Sequence, residues 1–224
     1  MQSTAVARQA PGLVKAIALT GARGPSLFDS LFPSAKMLHR AIAAIAMVAV
    51  TAGAAQARFY LPENPVPITL STFGVLLTGG LLGFRWGVLS ALLYYFLGMA
   101  GLHLFQGGNG GWDYVTSSPT GGYLIGFIFA SALTGFLSQR GWNRGRSLWP
   151  MLLATLIVYV PGLIWLSVKD LSWPAEGKLF SQAMYPFIPG DIVKVMLASL
   201  TVGLLWRIAD HRAAARSTDP NTER

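Results

Sequence analysis

Six apolar stretches divide this chain and leave it few ways to fold. They run at about 37–57, 69–84, 87–105, 120–138, 149–168 and 190–207. A helical bilayer crossing takes about 20 mostly apolar residues. Backbone in hydrocarbon must satisfy its own hydrogen bonds, so only helices and closed barrels can span. No alternating apolar and polar pattern runs through the stretches, which removes the barrel. The sequence therefore predicts an all-α integral membrane protein, a bundle of six transmembrane helices. The second stretch, "TLSTFGVLLTGGLLGF", is short and broken by glycine. It and the sixth are expected to tilt or to stop inside the protein.

Charge supports the same class. Only 12% of residues are charged and 53% are hydrophobic. Soluble domains carry about 25% charge. The net charge of +8 would suggest nucleic acid on a soluble domain. Here the basic residues flank the apolar stretches, so the bilayer is the partner they fit and nucleic acid is not expected. Placing both termini in the cytoplasm puts 13 of the 17 Lys and Arg inside: five within residues 1–40, then Arg85, Arg140, Arg144, Arg146, Arg207, Arg212, Arg216 and Arg224. Arg58, Lys169 and Lys178 lie outside, and Lys194 falls within the sixth stretch. This is the positive-inside pattern of a multi-pass protein of the cytoplasmic (inner) membrane. Residues 1–35 read as a polar, disordered cytosolic tail with no secretory signal, 36–210 as the membrane domain, and 211–224 as a cytosolic C-terminal tail.

The outer loops are the irregular ones: "RFYLPENPVPI", "QGGNGGWDYVTSSP" and "KDLSWPAEGKLFSQAMYPFIPG". Chemistry is expected on that face, where loops bring polar groups together, and the first two of these loops, with "NPVP" and "GGNGG", are the expected lid. The strongest candidates open the sixth stretch. Asp191 and Lys194 stand at i and i+3, on one helix face. Pro189 and Gly190 could start a helix at Asp191, which would then cap it while Lys194 reaches for the interface. The other reading is a functional pair facing a cavity, the default for charge inside a membrane bundle.

Around Asn109, four glycines would let backbone approach a ligand, and Gly108 and Gly110 flank the asparagine directly. Asn109 can donate and accept. Thr120 could cap the fourth helix, placing Tyr123 one turn inside, near a cavity floor. Trp112, Trp173 and Tyr185 suit either an interfacial belt or a ligand platform. On the first helix, Ala49 and Gly53 form a small-xxx-small pair that permits close helix approach. No phosphate-binding loop, no H-E-x-x-H and no G-x-S-x-G occurs, cysteine is absent, and His39, His103 and His211 stand far apart. Neither an enzyme, a metal site nor a resident cofactor is indicated.

Four segments in order, "PVPITLSTFGVLLTGGLLGFRWG", "LYYFLGMAGLHLFQGGNGGW", "PTGGYLIGFIFA" and "IPGDIVKV", resemble BioY, the biotin-specific S component of energy-coupling factor (ECF) transporters. The likeness covers about residues 36–210. It implies a six-helix S-component bundle, biotin as the transported ligand taken from the extracytoplasmic side, and partners consisting of a transmembrane coupling subunit and an ATPase pair. It also implies a ligand-binding set of Asp191, Lys194, Asn109 and Tyr123, and docking of the coupling subunit on the small residues of the first helix, here Ala49 and Gly53. Independently, the ureido group of biotin offers two N–H donors and a carbonyl. Asp191 could accept from it while Lys194 or Asn109 donates to the carbonyl or the carboxylate. Trp112, Tyr123 and nearby leucines would supply apolar walls. The rival reading is a stand-alone secondary carrier for biotin or another small vitamin, since a glycine-broken helix also suits a carrier's central site.

Overall fold

A computed structural model describes residues 24–143, 148–169 and 171–218. The segment 1–23, Arg144 and Arg146 in the second inside connection, and residues 219–224 lie outside the described residues. In chain order the helices are α1 Leu27–Leu31, α2 Met37–Gln56, α3 Ser71–Met99, α4 Trp112–Ser117, α5 Gly121–Gln139, α6 Trp149–Val168, α7 Leu179–Ala183 and α8 Ile188–Thr218. Two short strands, β1 Arg58–Phe59 and β2 Ile68–Thr69, pair antiparallel and pinch the first outer loop closed at its base. Among the described residues the fold is otherwise helical.

Five segments are long and apolar enough to cross a bilayer. One of them, α3, is really two arms. At Gly83 the backbone turns through φ +74°, ψ −173°, which breaks the helix. A Cβ placed on Gly87 would stand 3.1 Å from the Cα of Gly79. Residues eight apart in a straight helix are about 12 Å apart, so the chain has reversed. The arms 71–82 and 84–99 are thus the second and third apolar stretches, giving six long apolar helical runs among the described residues. The first arm spans about 18 Å and the second about 24 Å, both short of a hydrocarbon core of about 30 Å. Only glycine adopts that conformation at the turn without strain. Phe84 N–H donates to Gln139 Oε1 at 3.0 Å, which holds the reversal against the end of α5.

Small residues hold the bundle together. Lipid tails are as apolar as leucine, so close van der Waals contact, not exclusion from water, drives helix association. The hairpin meets α5 where Gly79 and Gly87 press on Ser131, and α5 meets α6 where Gly126 lies on the backbone of Val158. Leu76, Phe127, Ala130, Met151, Ala154 and Val202 fill the space between these crossings.

Three boundaries differ from the sequence reading. Residues 24–35 are folded: Ser26 accepts from Asp29 N–H at 3.1 Å as the N-cap of α1, and Leu27 is fully buried. Asp29 then pairs with Arg40 at 2.9 Å, joining α1 to α2. The serine cap and two buried leucines in a five-residue segment outweigh its polar surroundings. Secondly, α8 begins at Ile188, three residues before Asp191, because Pro189 is compatible with a first helical turn. Thirdly, α8 runs on to Thr218, so residues 211–218 are helical; "HRAAAR" consists largely of strong helix formers.

On α2 the small-residue stripe faces outward. Only 22% of its apolar window is buried, against 61% for α5. Ala49 is exposed, and nothing lies within 4 Å of a Cβ placed on Gly53.

Candidate functional site

The outer loops and the helix ends beneath them enclose a cavity of about 690 Å³, counted to its open mouth. Its walls come from Val66, Ile68, Tyr94, Leu124, Phe127, Val158 and Phe187, and its polar groups from Asp191, Lys194, Tyr159, Gln106, Tyr114 and Thr120. Chain reversal in α3 brings Tyr94 on the second arm and Ser71 and Thr72 on the first to the same end.

Asp191 and Lys194 form its charged pole. They are 9% and 5% exposed, and Lys194 Nζ donates to Asp191 Oδ1 at 2.8 Å. Tyr159, from the middle of α6, donates its hydroxyl to Asp191 Oδ2 in a short hydrogen bond. Both carboxylate oxygens are therefore taken by side chains, so Asp191 is not spent on capping α8. Nor does Lys194 reach out to an interface; its ammonium lies buried beside the carboxylate. Retaining a buried ion pair is costly unless each charge has its partner and further hydrogen bonds. Tyr159 is that further bond. Lys194 has three N–H donors and one is committed here, which leaves the pair able to donate as well as accept. Tyr159 was not legible as a site residue: "LIVYVPG" reads as an ordinary apolar helix, and a tyrosine's polar tip in such a run was the only signal.

Tyr123 also lines the cavity, but its hydroxyl donates to the Ala183 carbonyl at 2.6 Å. It offers the ligand space a ring, packed edge-on to Tyr159 with centroids 6.1 Å apart. The other sequence candidates lie off the cavity wall. Asn109 turns back and donates from Nδ2 to the carbonyl of Gln106 at 2.7 Å. Gly108 N–H donates to Gln56 Oε1 at 3.1 Å, and Gly110 packs on the carbonyls of Leu102 and Gly98. Trp112 is 62% exposed. The reason is the curl of the loop. Gly107 and Gly108 both take positive φ, and Phe105 and Asn109 bridge across the curl. This geometry points Phe105 and Gln106 inward in place of Asn109. Thr120, expected as a cap, makes no capping bond; its hydroxyl donates to Tyr114 at 3.1 Å. Among the described residues no cluster of metal-ligating side chains occurs.

The arrangement is a receptor, not a reaction centre. It has an internally neutralised acid–base pair, aromatic and aliphatic walls, and a second polar group contributed by the glycine-rich loop and the start of α5. The nucleophile, base and acceptor geometry of a catalytic set is not assembled here.

Comparison with known proteins gives the same picture. The chain is 37% identical over 146 residues to the biotin transporter BioY of Rhizobium etli, covering 61% of this chain and 75% of that protein. It is 36% identical over 171 residues to the biotin transporter BioY of Rhodobacter capsulatus, covering 70% and 87%. Among solved structures it matches the crystal structure of the S-component for biotin from an ECF-type ABC transporter, with a TM-score of 0.67 and 30% identity over 76% of this chain and 92% of that one. The family and its apolar helices together make this a multi-pass membrane protein. A profile of the BioY family matches residues 28–211, nearly the whole of the described structure, and the chain belongs to that family.

Proposed function

We propose that this chain captures biotin as the substrate-binding subunit of an ECF-type vitamin transporter in the cytoplasmic membrane. It has no catalytic role of its own. Both termini are cytoplasmic, the cavity opens to the outside, and energy comes from a coupling subunit with its ATPase pair. The observation that carries the reading is the buried Asp191–Lys194–Tyr159 cluster at one end of an apolar cavity. A ureido group brings two N–H donors and one carbonyl. Asp191 is an acceptor for the former and Lys194 a donor for the latter. Because the ligand's head is neutral, the pair stays balanced on binding and no unpaired charge is left in the interior. The rings of Tyr123 and Tyr94 and the side chains of Val66, Leu124 and Phe127 cover the ligand's fused ring. Docking of the coupling subunit on Ala49 and Gly53 is supported by the outward, unobstructed position of both.

Calorimetry in detergent tests the site. Lys194→Ala is expected to weaken biotin binding by about 2 kcal/mol or more, because the carboxylate is left buried without its cation. An unchanged affinity would remove Lys194 from the binding site.

A further inference from the structure

Tyr114, near the start of α4, is the convergence point of a chain of hydrogen bonds at the cavity wall. Gln106 Nε2 donates to its hydroxyl at 2.9 Å and Thr120 Oγ1 donates to it at 3.1 Å. Each of those donors is itself held. Tyr60, in the first outer loop, donates to Gln106 Oε1 at 3.2 Å. Ser118 and Thr120 share a hydrogen bond of 2.7 Å, and since Thr120 gives its proton to Tyr114, Ser118 is the donor in that pair. The Tyr114 ring is stacked on the fully buried Phe105, centroids 5.7 Å apart, so the hydroxyl is aimed by packing as well.

The direction of these bonds matters. A phenol oxygen has two acceptor sites and one proton. Two incoming donors fill the acceptor sites, and among the described residues nothing accepts the proton of Tyr114. Among the described residues the second amide N–H of Gln106 likewise meets no acceptor. Gln106, Tyr114 and Thr120 all line the cavity. This half-buried network ends on donors at the cavity wall that can take an acceptor from a ligand. No carboxylate or carbonyl of the cluster supplies one, and the cluster bears no charge.

We propose that Tyr114, positioned by Gln106 and Thr120, binds the carboxylate end of the ligand and sets the preference for a free acid. The inference rests on the reading of the cavity as a biotin site. The charged pole is the wrong place for the ligand's carboxylate: Lys194 is already neutralised by Asp191 at 2.8 Å, and a second carboxylate there would leave a net buried negative charge. The donor cluster accepts an anion with no such repulsion, and hydrogen bonds to a charged acceptor are stronger than those between neutral groups.

The test compares biotin with biotinamide, its neutral analogue of nearly equal size, on the purified chain in detergent. The unsubstituted protein is expected to prefer biotin. Tyr114→Phe is expected to weaken biotin binding about tenfold or more while changing biotinamide binding less than about threefold, so that the preference collapses. Gln106→Met is expected to erode the preference in the same direction, and it decides the matter if Tyr114→Phe does not fold. Equal loss for both ligands would mean that Tyr114 serves only as wall. An unaltered preference in both variants would overturn the assignment, and so would an unsubstituted protein that binds biotin and biotinamide equally. If the unsubstituted protein binds neither ligand, the capture function itself falls, and the carboxylate assignment falls with it.

Discussion

The two ends of this bundle are built on opposite rules. At the loop end the helices are held apart, and the space between them is lined with tyrosines and closed by loops that hydrogen-bond to one another. Asn64 donates to the Gln182 carbonyl, Tyr60 to Gln106, and Gln56 to the Phe105 carbonyl. At the other end, which carries Arg85 and Arg140, the helices are pressed together. There Gly135 lies against the Gly83 backbone, Ser138 donates to the Gly80 carbonyl, and Gln139 holds Phe84 N–H and the Gly24 carbonyl at once. Helix α1 lies across that end with Leu27 inserted. A bundle closed at one end and hollow at the other is suited to receiving a ligand from one side. To release it on the other side, the bundle has to be opened by something else. This asymmetry fits a capture subunit better than a carrier that alternates by itself, which needs comparable mobility at both ends.

The largest effect expected is at the hollow end, where the charge is. A single loss in the Asp191–Lys194 pair leaves a buried ion unmatched, at a cost of about 3 kcal/mol or more in stability. The double variant Asp191→Asn with Lys194→Met removes both charges and keeps an acceptor for Tyr159. It is expected to regain most of the thermal midpoint lost by Lys194→Met alone, without regaining biotin affinity. Thermal unfolding and calorimetry on the same samples give both values. Recovery of both together would make the pair a structural element and take away its binding role.

At the packed end, Gly83→Ala should act in the opposite sense. A non-glycine residue at φ +74°, ψ −173° is strained, and its Cβ would meet Gln139 Cδ at 2.9 Å. The expected loss is about 2 kcal/mol of stability. Biotin affinity of the folded fraction should stay within about threefold, because the residues that meet the turn, Gln139, Ser26 and Gly135, do not line the cavity. A comparable drop in affinity would show that the two ends are coupled and would weaken the contrast drawn above.

How much of this was legible follows from the same contrast. The packed end was readable in outline: a glycine-broken stretch of 16 residues is too short to be an ordinary span, and the reversal at Gly83 is the reason. Asp191 and Lys194 were readable because charge in an apolar run carries strong information. The loop residues were not. Periodicity fixes which side of a helix a residue takes, but a loop has no period. In "FQGGNGG" the asparagine draws the eye, yet the positive φ of Gly107 and Gly108 turns it away and turns Gln106 in. Tyr114 and Tyr159 are aromatic residues among aromatics, and only their hydroxyl partners mark them. The ordered segment 24–35 was hidden by its polar composition, since one serine cap and two leucines carry little weight in a window average.

The smallest effect sharpens the picture of the mouth. Arg58 is exposed, and its guanidinium occupies the space over Gly107, where an added Cβ would fall 2.0 Å from Nη1. Gln106 is the next residue, so a cation stands beside the donor cluster at the entrance. An exposed charge of this kind acts on approach more than on the bound state, since solvent screens it once the ligand is seated. Arg58→Gln is therefore expected to lower the association rate of biotin by about threefold at low ionic strength, with the difference fading by roughly 0.5 M salt, while the dissociation rate stays the same. Stopped-flow binding at two salt concentrations separates the rates. A faster dissociation that persists at high salt would make Arg58 a direct ligand contact, and the carboxylate would then be held jointly by a cation at the rim and the phenol of Tyr114 behind it.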